Sequence, residues 1–147
     1  MTSSIVFYDT WVYFIHRLMH RPELYGHTHK AHHGAILPNV WHTYVSTRAE
    51  DTLFALGLIL PCLYFVYTSS VLETYLALLA AGFIINLRGI LRHDYRFRAI
   101  TGTHHLVHHM FPNRNYSVYW IDWLFGTLAT NDQVSMCRSR HAALYLP

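Results

Sequence analysis

The chain has 147 residues, about the length of one domain, which excludes a multidomain enzyme carrying its own reductase. Hydrophobic residues make up 52% and charged residues 13%, too apolar for disorder and too poor in charge for an ordinary soluble surface. The formal net charge of +3 comes from ten arginines and one lysine. They form no basic run of the kind that binds nucleic acid, so no such partner is expected and the excess reads as membrane-facing.

In chain order, residues 4–15 are apolar and aromatic, interrupted by Asp9, and predict the cytoplasmic end of a helix. They lack the basic start and small-residue cleavage site of a signal peptide. His16 and His20 follow at i and i+4, then His29, His32 and His33 at i, i+3 and i+4. On a helix such spacings project imidazoles from one face.

At a rise of ~1.5 Å per residue, the uncharged stretch 52–72 spans roughly 31 Å, enough to cross a bilayer core. Pro61 is expected to kink this helix rather than forbid it. Residues 68–70 read as a turn, and 71–91 as a second apolar arm whose Glu73 and Arg88 reach the interface from near its ends. A hairpin returns the chain to the face it left. Twelve of the 13 histidines lie in its flanks between His16 and His109, and the turn carries no Lys or Arg. The positive-inside rule then makes the shared face cytoplasmic.

Beyond the hairpin, His105, His108 and His109 repeat the earlier pattern. At this histidine content a random chain would hold on the order of 0.1 copies of His-x-x-His-His, yet there are two. Residues 116–129 suit an amphipathic element at the membrane interface, and 130–147 show no usable periodicity. Cys62 and Cys137 make no disulfide framework and fit a reducing compartment. His42 and His141, each isolated, read as hydrogen-bonded structural residues.

So many nitrogens exceed the four ligands of one tetrahedral zinc, and two metal ions fit the number. Imidazole suits Zn, Cu, Fe and Ni alike, so softness does not choose. Carboxylates are scarce: Asp9, Glu23, Glu50, Asp51, Asp94 and Asp122. A zinc or copper transporter is disfavoured, since the histidines lie outside the hairpin core.

The order His-x3-His, His-x-x-His-His, apolar hairpin, His-x-x-His-His resembles the fatty acid hydroxylase/sterol desaturase superfamily over about residues 5–128. Phe7-Tyr8-Asp9 through His20 is similar to its first block, and Leu24-Tyr25 with His29 to His33 to its second. His93-Asp94 resembles the His-Asp pair of the lathosterol-type branch. Gly102 to His109, Asn115-Tyr116 and Asp122 to Thr127 resemble the closing block.

The resemblance implies an all-α, integral-membrane protein with one transmembrane hairpin and a cytoplasmic-face helical cap carrying a dimetal site. Residues 1–130 would form the family domain and 131–147 a C-terminal tail. It implies two non-haem iron ions, O2 as co-substrate, and NAD(P)H-derived electrons through an external cytochrome b5-type or ferredoxin-type carrier. The substrate would be a membrane lipid, a sterol or fatty acyl chain, hydroxylated or desaturated in lipid biosynthesis. In a eukaryote the membrane would be the endoplasmic reticulum. Carried over residue by residue, the metal ligands are His16, His20, His29, His32, His33, His93, His105, His108 and His109, with His104 as a tenth. No catalytic residue beyond the ligands is implied. His27 reads as a neighbour, and Asp9, Asp94 and Asp122 as acceptors for ligating imidazoles or helix caps.

Two departures from the family pattern stand out. Arg48 lies where relatives have a His-Pro pair, placing a cation near the site. The family's first hairpin precedes the point where this sequence begins, so a partner chain is expected to replace it, and His16 and His20 are expected to be the least anchored ligands. An inactive or truncated paralogue acting as a metal-binding or scaffolding membrane protein is the alternative.

Overall fold

In the computed structural model, which describes residues 2–145, the chain opens with helix α1 (Thr2–Met19). Asp9 does not interrupt it. The carboxylate is buried and neutralised from outside the helix, with Arg88 Nη2 donating to Oδ1 at 2.8 Å and Nη1 to Oδ2 at 3.4 Å. The helix stops because Arg21 precedes a proline and is extended, at φ −66° and ψ 139°. Pro22 then occupies the first turn of α2 (Pro22–Thr28), where its missing N–H costs nothing.

Two 3-10 turns follow, His32–Gly34 and Val40–Tyr44. Asn39 caps the second, accepting from Trp41 N while His42 Nδ1 accepts from Asn39 N, each at 3.0 Å. His42 is thus structural, as its isolation in the sequence suggests.

The hairpin arms are α3 (Arg48–Thr68) and α4 (Val71–Arg92). The first begins four residues earlier than its apolar stretch. Thr47 Oγ1 accepts from Glu50 N at 3.2 Å, and Glu50 and Asp51 sit where the helix dipole favours anions. Ser70 starts α4 with a reciprocal cap: its Oγ accepts from Glu73 N at 3.2 Å, and Glu73 Oε2 accepts from Ser70 N at 3.0 Å. Pro61 lies inside α3 without ending it.

Leu63, Leu72, Leu76, Leu79 and Phe83 stand exposed along this hairpin. Among the described residues, α4 is one helix long and apolar enough to cross a membrane.

Helix α1 lies along α3, with Trp11 Nε1 donating to Leu53 O at 2.8 Å. Close approach requires glycine at position 57, since a Cβ there would stand 2.2 Å from Trp11 Cδ1.

After α4 come a 3-10 turn (Tyr95–Phe97), α5 (Arg98–Thr101), α6 (His104–Met110), α7 (Tyr119–Leu124) and α8 (Asn131–Tyr145). Every regular element among the described residues is helical. One apolar cluster joins Tyr13 of α1 to Tyr116 and Ile121. Another packs Leu106 and Val107 of α6 against Tyr95 and Cys137, with Val134, Ala142 and Tyr145 around them. Burying each of the two α6 residues stabilises by about 1.5–3 kcal/mol.

The final stretch, which shows no usable periodicity in sequence, is therefore helix α8 as far as Tyr145 and packs on α6. Its inward side mixes apolar Val134 with Cys137 and His141, which hides the stripe from a hydrophobicity pattern. The expected structural role of His141 agrees with its environment: the ring is buried and Nδ1 donates to Cys137 O at 2.9 Å.

Candidate metal centre

Four parts of the chain deliver imidazoles to one place. Helix α1 presents His16 and His20 one turn apart. His29 caps the C-terminus of α2, and His32 and His33 sit on the following 3-10 turn. These three do not share a helix face, because α2 ends at Thr28; the tight turn converges them instead. His93 caps the C-terminus of α4, and α6 supplies His105, His108 and His109 from consecutive turns.

The nine rings form two groups. In one, His16, His20, His29, His33 and His108 offer nitrogens within 4.8 Å of one another. In the other, His32, His93, His105 and His109 do the same. His29, His32 and Glu50 meet the same criterion where the groups adjoin. Nε2 atoms face each other at 2.7 Å between His16 and His29, and at 2.9 Å between His33 and His108. In the second group the separations are 3.0 Å for His32–His93 and 2.9 Å for His93–His105.

Backbone carbonyls fix which nitrogen carries the proton. The Nδ1–H of His16 donates to Tyr116 O at 2.5 Å, of His32 to Val45 O at 3.1 Å, and of His93 to Gly89 O at 2.6 Å. His108 donates to Arg114 O at 2.6 Å, and His109 to Ala35 O at 3.2 Å. A carbonyl can only accept, so these five rings turn Nε2 lone pairs inward. His32 and His93 then point lone pair at lone pair across 3.0 Å, and His109 Nε2 is buried with no partner. Neutral rings gain nothing from that arrangement; a cation between them satisfies every nitrogen. The donor set therefore fits metal ions on the physics of this chain alone.

Burial sets the charge state. It pushes His20 and His32 down to about 4 and His33 to about 3, with neighbouring imidazoles adding to the first and third shifts. His16, His93, His105, His108 and His109 move the same way for the same first cause, so the cluster is neutral and free to ligate at neutral pH.

His16 is 2% exposed, and Tyr116 closes over His16, His20 and His108 with ring centroids 5.4–5.7 Å away. The expectation that His16 is weakly anchored is therefore corrected: α3 and the turn at Tyr116 hold it from two sides. His20 is the more open of the pair, stacked on Tyr25 at 5.4 Å.

His104 is not brought into either group. One position before His105 on a helix turns a side chain by about 100°. Its Nε2 instead donates to Asp122 Oδ2 at 2.9 Å. Asp122 also accepts from Tyr116 N, Ser117 N and Thr127 Oγ1, so it organises the closing segment and touches no ring of the two groups. Asp94 caps the Tyr95–Phe97 turn and pairs with Arg96, and Asp9 pairs with Arg88; neither supports an imidazole of the centre. His27 is exposed on α2, and Arg48 is exposed at the start of α3.

The carboxylate that does reach a ring is Glu50, with Oε1 2.8 Å from His29 Nδ1 and both side chains nearly fully buried. Sequence reasoning placed it near the flanks and gave it no role. Burial pushes the Glu50 carboxyl up to about 8, so Glu50→Gln preserves an acceptor for the ring, whereas Glu50→Ala removes the partner that orients it. In Glu50→Ala, metal affinity should fall about 10- to 100-fold with the fold retained, as measured by metal competition and circular dichroism.

A cavity of about 300 Å³ adjoins the rings of His16, His29, His32, His93 and His105. Phe54, Ala55, Leu58 and Ile85 of the hairpin give it apolar walls. The arrangement is a set of buried, preoriented nitrogen donors open to a chamber whose hairpin wall is apolar and whose other sides carry Thr43, Asn86, Arg88 and Arg92.

Known proteins resemble this chain over most of its length. Residues 1–127 match the family described as fatty acid hydroxylase. A Delta(7)-sterol 5(6)-desaturase of Gibberella zeae is 31% identical over 136 residues, covering 84% of this chain and 39% of its own length. Methylsterol monooxygenase 1 of Rattus norvegicus is 33% identical over 130 residues, covering 81% and 43%. Lathosterol oxidase of Homo sapiens is 29% identical over 130 residues, covering 82% and 41%. The chain thus spans less than half the length of these relatives, and no solved structure matches it. With most of its length matched by the family model, the chain belongs to the fatty acid hydroxylase family.

Proposed function

We propose that this chain carries the metal centre of a membrane-bound, oxygen-dependent oxidoreductase that hydroxylates or desaturates a lipid. The observation that carries the reading is the pair of imidazole groups opening onto a chamber with an apolar wall from the hairpin. The relatives are named as a sterol desaturase, a methylsterol monooxygenase and a lathosterol oxidase, which favours a sterol over a fatty acyl substrate.

Two iron ions are the metals of choice, one in each group: His16, His20, His29, His33 and His108 for the first, His32, His93, His105 and His109 for the second. When bound, they would supply the dioxygen chemistry and oxidising power that carbon–hydrogen cleavage needs. The protein's own contribution is orientation and exclusion of water. Backbone carbonyls hold five rings in the tautomer that ligates, and Glu50 holds His29. Phe54, Leu58 and Ile85 receive an apolar substrate from the hairpin side and keep the chamber dry.

Electrons would arrive from NAD(P)H through a cytochrome b5-type or ferredoxin-type carrier. In this reading α3 and α4 span the membrane and the imidazoles face the cytoplasm, on the endoplasmic reticulum if the cell is eukaryotic. Tags at both termini should then be accessible from the cytosol and a tag at Ser69 should not; a cytosolic Ser69 would mean a re-entrant hairpin.

The test of function is expression in a membrane host with lipid analysis, comparing the wild type with His32→Ala at equal protein level. An oxygen-dependent hydroxylated or desaturated lipid, absent from the variant, is expected. Identical lipid profiles despite iron loading and a competent electron donor would refute the enzymatic reading and favour a metal-binding scaffold.

A further inference from the structure

The chamber beside the imidazoles carries a charged group that the metal centre does not use. Arg92, in the last turn of α4, lines it together with His93 and His105. Its Nε is buried without a hydrogen-bond partner, and no carboxylate among the described residues pairs with it. Arg88, one turn earlier, has its charge matched by Asp9. A buried donor on a charged group is costly to leave unpaired, and a ligand that brings an acceptor removes that cost.

The position of Arg92 also matters. The same side chain borders a second cleft of about 590 Å³, walled by Leu87, Leu91, Ile100, Val118 and Trp120. Arg88, Arg92 and His105 line both spaces. Polar groups thus stand where the two chambers meet, and of the two arginines there Arg92 has no acidic partner among the described residues.

We propose that Arg92 is a substrate-binding residue that donates a hydrogen bond to a hydroxyl group on an otherwise apolar lipid, a few bonds from the carbon that loses hydrogen. The inference rests on the reading of this site as a lipid-oxidising centre, and deepens it by naming the group recognised. Because Arg92 shares a chamber with His93 and His105, an oxygen held there lies close to the reacting end of the molecule. A fatty acyl chain attacked far from its head group would leave this donor empty. A carboxylate placed there would compete for the adjacent cations as a ligand, whereas a neutral hydroxyl accepts from the guanidinium and leaves the neighbouring carbon–hydrogen bonds free.

The test is a binding measurement independent of turnover. Purified wild type, Arg92→Leu and Arg92→Gln, each with iron content measured, are titrated with a 3-hydroxysterol, its 3-deoxy counterpart and stearate against a radiolabelled sterol. The wild type should prefer the 3-hydroxysterol over the 3-deoxy form by about 10- to 100-fold, the range for a hydrogen bond to a charged donor. Arg92→Leu should bind the two sterols equally, with iron content unchanged. Arg92→Gln, which keeps N–H donors without charge, should retain a reduced preference and serves alone if the leucine variant does not fold.

A preference undiminished in the variants would overturn the assignment to Arg92, and tighter binding of stearate by the wild type would overturn the assignment to a hydroxyl. Equal binding of both sterols by the wild type would overturn the proposal while leaving the lipid reading intact. Failure to bind any of the three lipids would overturn the lipid reading, and the proposal with it.

Discussion

Replacing His108 with alanine should lower iron from two ions per chain to about one, whereas His141→Ala should leave iron unchanged. Both rings are 0% exposed, so the comparison separates ligation from burial. His108 Nε2 faces His20 at 3.1 Å and His33 at 2.9 Å, linking rings from α1 and from the His32–Gly34 turn. Its loss removes the inward lone pair on which both converge and leaves Arg114 O without its donor. His141 reaches no ring of either group; its Nδ1 bonds within α8. Its truncation should cost about 1–3 kcal/mol of stability through lost packing and an emptied buried site. Metal analysis and thermal unfolding of the two variants read these outcomes separately. Equal iron loss from both would mean that any buried histidine supports the fold on which metal depends, and the two-group assignment would fail.

Gly57→Ala should be nearly as damaging, although the position is far from any ligand in sequence. An added Cβ would lie 2.2 Å from Trp11 Cδ1 and 2.7 Å from Cγ, a distance that atoms cannot share. The indole cannot simply swing aside, because its Nε1 is bonded to Leu53 O and its ring is stacked on Phe7 with centroids 6.4 Å apart. Helix α1 must therefore move off α3, taking His16 and His20 with it. Overpacking of this kind costs about 1–3 kcal/mol, and ligand constellations tolerate displacements of only about 0.5 Å. The group containing His16 should lose its metal while the group containing His93 retains its own. Adding Trp11→Leu to Gly57→Ala should restore part of the lost iron by making room. Full iron content in the single variant would show that α1 is not positioned by this contact.

Much of this was legible in the sequence because the chemistry repeats locally. Two His-x-x-His-His runs and a hairpin-length apolar stretch can be read from spacing alone. The apolar stretch and the second run correspond to observed helices, whereas the first run lies across the end of α2 and a 3-10 turn. Spacing could not tell His104 from His105. Neighbouring residues on α6 point in different directions, and which one faces inward is decided by where the helix docks. Nor could it assign Glu50. Thr47-x-x-Glu50 and Ser70-x-x-Glu73 carry the same helix-start signature, and only the second closes its cap. The first turns its carboxylate away to His29, a contact across 21 positions that no local pattern encodes. Asp9 misled for a related reason: a lone acid in an apolar helix reads as a break until Arg88, 79 positions away, is seen to neutralise it.

The most direct test of the central claim is the metal content of the wild-type protein purified without oxygen from membranes. Two groups of imidazoles, with nine rings between them and five lone pairs aimed inward by backbone carbonyls, predict about two iron ions per chain. One tightly held zinc with no iron would contradict the account.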